Sequence, residues 1–68
     1  MMPITDRRKI VFRILTDAKN DNVPVATQCN RIASLAKINN ISVEGKTIRV
    51  LLEEIIEQPI DNINKELP

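Results

Sequence analysis

The chain has 68 residues and a formal net charge of +1, from ten basic and nine acidic side chains. A chain of this length forms one domain, residues 1–68, whose core supplies only about 3–5 kcal/mol of net stability. One cysteine excludes an internal disulfide, and without histidine a zinc site is not expected. Self-association, most simply as a homodimer, is therefore the expected additional source of stability.

Enzymatic activity is not expected. The chain lacks His, Tyr and Trp, and a core this small rarely encloses a cleft for catalysis or for a small-molecule substrate. The segment Gly45-Lys46-Thr47 is similar to the end of a phosphate-binding loop, but no strand or glycine-rich path precedes it. We predict no catalytic residues, no metal and no cofactor.

The first six residues do not place an apolar run after a charged segment, so we do not expect a signal peptide. The apolar runs along the chain are far too short for a membrane span. We expect a cytoplasmic protein with no membrane partner.

Charge is distributed unevenly along the chain. Residues 1–49 carry nine basic and four acidic side chains, a net of +5, whereas residues 50–68 carry one basic and five acidic ones, a net of −4. Such an asymmetry indicates a basic portion that binds an anion, or equally a dipolar protein whose acidic end screens its own body.

The first predicted helix begins near Asp6, which can cap it, with Thr5 as the alternative cap. It is predicted to stop at the turn-forming residues 20–22. Its apolar stripe has helical spacing and consists of Ile10, Val11, Ile14, Leu15 and Ala18.

The second predicted helix has Pro24 in its first turn, where a missing N–H costs nothing. It ends at Asn39-Asn40. Its packing face is made of mostly small residues, namely Val25, Cys29, Ile32, Ala33 and Ala36.

The third predicted helix begins at about Val43 behind a Ser42 cap and ends before Pro59. Its stripe is Ile48, Leu51, Leu52 and Ile55. Residues 41–50 also alternate apolar and polar side chains around Gly45, so a β-hairpin turning at Glu44-Gly45 is the alternative.

Three stripes predict an all-α fold, a compact three-helix bundle of helix-turn-helix type with a short C-terminal tail. The core is expected over residues 6–58 and the tail over 59–68. Within the tail, Ile60, Ile63 and Leu67 have the spacing of a short closing helix.

Residues 31–55 resemble the helix-turn-helix unit of bacterial DNA-binding regulators, particularly winged-helix repressors. The resemblance lies in Leu35-Ala36, the turn Ile41-Ser42 and the segment Thr47-Ile48-Arg49, in that order. Four residues, 43–46, separate Ser42 from Thr47, which is more than is usual in the family.

The resemblance implies a DNA-binding regulator of transcription whose second helix enters the major groove. Lys46, Thr47 and Arg49 would lie early in that helix and off its apolar stripe, with Arg49 as the main base-reading residue. Phosphate contacts would come from Arg31, Lys37 and Lys46, and from the run Arg7, Arg8 and Lys9.

The alternative function is a small helical module that binds a protein, such as an inhibitor, an antitoxin-like adaptor or an assembly subunit. A phage, viral or plasmid origin would suit either function. Phe12 and Val50 lie off the predicted stripes and are candidate dimer contacts, and a dimer would also suit a two-fold symmetric DNA site.

Overall fold

A computed structural model describes residues 1–20 and 23–67, and this part of the chain is helical without any β-strand. Its helices are α1 (Ile4–Asn20), α2 (Val25–Ile38), α3 (Ile48–Ile56) and α4 (Asp61–Asn64). The three longer helices pack against one another pairwise. This architecture confirms the predicted all-α three-helix bundle.

Helix α1 begins two residues earlier than predicted. The backbone N–H groups of Asp6 and Arg7 donate to the Pro3 carbonyl oxygen, each at 3.1 Å, so neither Thr5 nor Asp6 is the cap. Proline is suited to this place because it has no N–H to leave unpaired at the helix start. The predicted stop at residues 20–22 falls partly on 21 and 22, which lie outside the described residues.

Helix α2 starts directly after Pro24 and ends at Ile38, just before the pair Asn39-Asn40 that was predicted to stop it. Asn40 has a left-handed backbone with φ 58°. The N–H of Ile41 donates to the Ala36 carbonyl at 2.9 Å and that of Asn40 to the Lys37 carbonyl at 3.1 Å, which together form a Schellman motif. Asparagine tolerates the left-handed region better than most residues, so it replaces the usual glycine.

The predicted start of the third helix near Val43 is wrong, because α3 begins at Ile48 with Thr47 as its cap. The Thr47 hydroxyl oxygen accepts from the Val50 N–H at 3.2 Å. Residues 43–46 form a turn instead, in which the Lys46 N–H donates to the Val43 carbonyl at 3.4 Å. Gly45 stands at φ 71°, a conformation that ends any helix started at Val43.

A turn therefore forms where the hairpin alternative placed one, but no strands flank it within the described residues. The Ser42 side chain belongs to this connection, since its hydroxyl oxygen accepts from the Glu44 N–H at 3.4 Å. The connection between α2 and α3 thus spans residues 39–47, longer than the roughly three or four residues of a short helix-turn-helix turn.

The core extends past the predicted boundary at residue 58. Ile60 and Ile63 are buried together with apolar residues of the three longer helices. The N–H of Ile60 donates to the Glu53 carboxylate at 2.8 Å, which ties the chain back onto α3 after Pro59. The predicted short closing helix is present as α4, and its Ile63 packs into the core.

Candidate functional site

The basic residues predicted to meet DNA are largely paired with acidic residues of the same chain. Their salt bridges are Arg31 to Asp17 at 3.4 Å, Lys46 to Glu54 at 2.8 Å and Arg49 to Asp61 at 3.6 Å. These acidic partners lie on α1, α3 and α4 respectively. Next to α3, the cations Lys46 and Arg49 therefore each lie beside a carboxylate, and Arg31 does so between α1 and α2.

Arg7 contradicts its predicted role as a phosphate contact, because its side chain is buried, with the residue only 7% exposed. Its Nε donates to the Met2 carbonyl at 2.8 Å, and one terminal nitrogen lies 3.2 Å from both the Ile55 carbonyl and the Glu57 carboxylate. The guanidinium joins the start of α1 to the end of α3. This burial removes Arg7 from the basic surface that a phosphate could contact.

The neighbours of Arg7 in the sequence lie nearer the surface. Lys9 is exposed and Arg8 is half-buried, with its Nε enclosed and without a hydrogen-bond partner in the described residues. Both line a groove of about 510 Å³ between α1 and the C-terminal segment, beside Phe12, Ile63 and Glu66. Lys37 is exposed in the last turn of α2.

The two candidate dimer contacts have different surroundings. Phe12 is half-buried, packs against the core and lines the groove between α1 and the C-terminal segment. Its role as a dimer contact stays a prediction. Val50 is exposed on α3 beside Glu53, Glu54 and Pro59.

Thr47 and Arg49 lie at the start of α3, as the sequence predicted for a base-reading segment. The Thr47 hydroxyl oxygen is occupied as the helix cap. The Arg49 side chain is largely exposed despite its contact with Asp61. Arg49 is thus accessible from solvent, whereas Lys46 is half-buried against Glu54.

A groove of about 650 Å³ lies between α1 and α2, and sequence reasoning did not anticipate it. Ile14 and Leu35 are buried in its lining. Ile10 on α1 and Ile38 on α2 also line it, and they are 38% and 60% exposed. A partner that covered them would remove exposed aliphatic surface from water.

A signal for this groove exists in the sequence. The apolar stripe of α1 includes Ile10, which the core does not bury, and Ile38 follows Leu35 at the three-residue spacing of a shared helix face. The sequence places Ile10 in the apolar stripe of the first helix, but it does not reveal the groove, because the relative placement of α1 and α2 is not readable from one sequence.

Charged side chains are part of the groove lining. Asp17 accepts from Arg13 of its own helix at 3.2 Å and from Arg31 of α2 at 3.4 Å, so the three groups connect the two helices. The three residues are among those that line the groove. Two cations and one anion leave the lining with a net positive charge.

Other chemistry is limited in the described part of the chain. Residues 1–20 and 23–67 contain no group of three or more acidic, cysteine or histidine side chains placed to hold a metal ion. Cys29 is a half-buried free thiol on α2. Every helix described is too short or too polar to cross a lipid bilayer.

Comparisons with protein-family models, with curated proteins and with solved structures gave no match to this chain.

Proposed function

We propose that the chain is a non-enzymatic, cytoplasmic binding module that docks a helix of a partner protein in the groove between α1 and α2. The observation that carries this proposal is the pair Ile10 and Ile38, exposed at the two sides of a groove that also includes Ile14 and Leu35. Exposed apolar residues arranged around a concave surface and bordered by charge are typical of interaction sites.

The dimensions of the groove suit a short helix. Residues 10–17 of α1 line its length, and at 1.5 Å per residue they extend over about 10–12 Å. About two turns of an amphipathic helix match that length. Such a helix would place apolar anchors at positions i, i+3 or i+4, and i+7.

The charge distribution also supports a protein partner. Arg31, Lys46 and Arg49 each contact an acidic side chain, and the net charge of the chain is +1. Domains that bind nucleic acid are usually more basic and cluster their Lys and Arg on one face.

The test is capture of the partner from a nuclease-treated lysate of the source cells, with two matched variants as bait. Ile38→Asp places a charge in the groove at an exposed position and is expected to abolish capture. Val25→Asp is the control, because Val25 is exposed on the same helix outside the groove lining. Equal capture by both variants would contradict the proposal, once circular dichroism has shown that both are folded.

A second candidate function is the DNA-binding regulator indicated by the helix-turn-helix resemblance. It is favoured by the exposed guanidinium of Arg49 in the first turn of α3, from which a recognition helix contacts base edges. Lys9 and Lys37 are exposed and would supply phosphate contacts.

Titration of a random-sequence duplex at two salt concentrations tests this second function. Affinity should fall steeply with salt, because each phosphate contact releases counterions. Arg49→Gln should weaken binding, whereas Lys65→Gln, at an exposed position on the C-terminal segment, should not. Absence of binding at low salt would exclude the DNA function.

A further inference from the structure

We infer that the partner helix carries an acidic side chain next to its apolar stripe, and that this carboxylate binds Arg13 and Arg31 in the groove. The inference rests on the proposed function, since it specifies which helix the groove accepts. It follows from the geometry of the three charged residues that join α1 to α2.

Asp17 engages only part of each arginine. In the described residues, Arg13 contacts it through Nε and Arg31 through one terminal nitrogen. A guanidinium has five N–H donors, so most of those on both side chains remain available to another acceptor. A carboxylate is the acceptor that matches a guanidinium best in shape and charge.

Exposure of the three side chains favours an incoming anion over an incoming cation. The Arg13 and Arg31 side chains are 79% and 44% exposed, whereas that of Asp17 is 21% exposed. A charged group that enters the groove therefore meets two accessible cations and a carboxylate that is less accessible than either of them. The arrangement repels Lys or Arg on a partner and attracts Asp or Glu.

A second copy of this chain fits the groove less well. The acidic helix α3 carries Glu53 and Glu54, Glu57 follows it directly, and all three carboxylates already have partners. Glu53 accepts from the Ile60 N–H, Glu54 from Lys46 and Glu57 from Arg7. Docking α3 of another copy against Arg13 and Arg31 would put those arginines in competition with the existing partners of these carboxylates.

The experiment uses two synthetic, fluorescently labelled amphipathic peptides and measures their affinity for the full chain by fluorescence anisotropy. Both peptides carry the same leucine stripe and differ only in whether the flanking positions hold Glu or Lys. The Glu peptide should bind roughly fivefold tighter or more, the difference expected for a charged contact at an interface rim.

Charge reversal on the protein provides the matched control. Arg31→Glu should reverse the preference, so that the Lys peptide binds more tightly than the Glu peptide. Lys65→Glu makes the same change of charge on the C-terminal segment, and the preference for the Glu peptide should remain. If Arg31→Glu reverses the peptide preference and Lys65→Glu does not, the charge selectivity arises in the groove.

The outcomes separate the inference from the proposed function. If both peptides bind equally well and Ile38→Asp abolishes both, the groove is a docking site but the acidic partner is wrong. If neither peptide binds, both proposals fail. If the protein forms a dimer in solution that Ile38→Asp dissociates, the occupant is a second copy and the inference is overturned.

Discussion

Three consecutive cations, Arg7, Arg8 and Lys9, lie in three different environments, because successive helix residues are rotated by about 100°. Arg7 is four residues before Val11 and seven before Ile14, so it falls on the apolar stripe and is buried with it. The stripe could have predicted its inward direction. The acceptors that make the burial tolerable, the Met2 and Ile55 carbonyls, depend on tertiary structure and could not be predicted.

Replacing Arg7 tests how much those buried hydrogen bonds contribute. Arg7→Met keeps the length of the side chain but leaves the Ile55 carbonyl without its donor, and we expect a loss of about 2 kcal/mol in the free energy of unfolding. Glu57→Gln removes only the exposed partner and should cost under about 1 kcal/mol. Urea denaturation measures the free energy of unfolding of both variants. Equal losses would show that Arg7 stabilises the fold through its ion pair with Glu57 rather than through the buried carbonyl contacts.

Gly45 is a second position where one residue decides the local structure. With φ 71° and no atoms within 4 Å of an added Cβ, Gly45→Ala would meet backbone strain but no clash. We expect a loss of about 1 kcal/mol in thermal or chemical denaturation. No change in stability would mean that residues 43–46 can adopt another turn.

At the scale of the elements, the sequence predicted that the three main helices exist, because each has an apolar stripe. Part of the predicted face of α2 was wrong, since Val25 is 75% exposed and Leu35, outside that face, is buried. The start of α3 was wrong by five residues, since Ser42 and Thr47 are both good caps and propensity alone cannot choose between them. The glycine between them makes the choice, by forming a turn that excludes a helix from Val43. The α1–α2 groove escaped prediction because it depends on how two helices pack.

Two alanine substitutions test which residue caps α3. Thr47→Ala removes the acceptor for the Val50 N–H and should cost about 1 kcal/mol, a typical value for a cap. Ser42→Ala removes only a 3.4 Å contact in the connection between α2 and α3, and it should lower the free energy of unfolding by only a few tenths of a kcal/mol. If denaturation shows that Ser42→Ala destabilises the chain more than Thr47→Ala does, Ser42 is the cap and the third helix begins near Val43.

The C-terminal segment is expected to be part of the folding unit. Ile63 is almost fully buried, so Ile63→Ala should destabilise the chain by about 2–4 kcal/mol through lost burial and a cavity. Asn64→Ala changes an exposed neighbour and should be nearly neutral. Equal melting temperatures for the two variants would contradict a structural role for residues 60–63.

At the scale of the whole molecule, the small core and the apolar groove both lead us to expect that a binding partner stabilises the chain. The core of a chain this size leaves a small margin of stability, and covering Ile10 and Ile38 with a partner would increase it. The pairing of Arg31, Lys46 and Arg49 with acidic side chains makes a continuous basic face for DNA less well supported. We therefore place protein docking ahead of DNA binding as the proposed function.

The most direct test of helix docking in the α1–α2 groove is nuclear magnetic resonance of the ¹⁵N-labelled chain during titration with the Glu-flanked amphipathic peptide. We expect the largest amide shifts at Ile10, Arg31 and Ile38, and little change at Arg49. Shifts concentrated on α3, or none at the groove when the peptide is in excess, would contradict docking between α1 and α2.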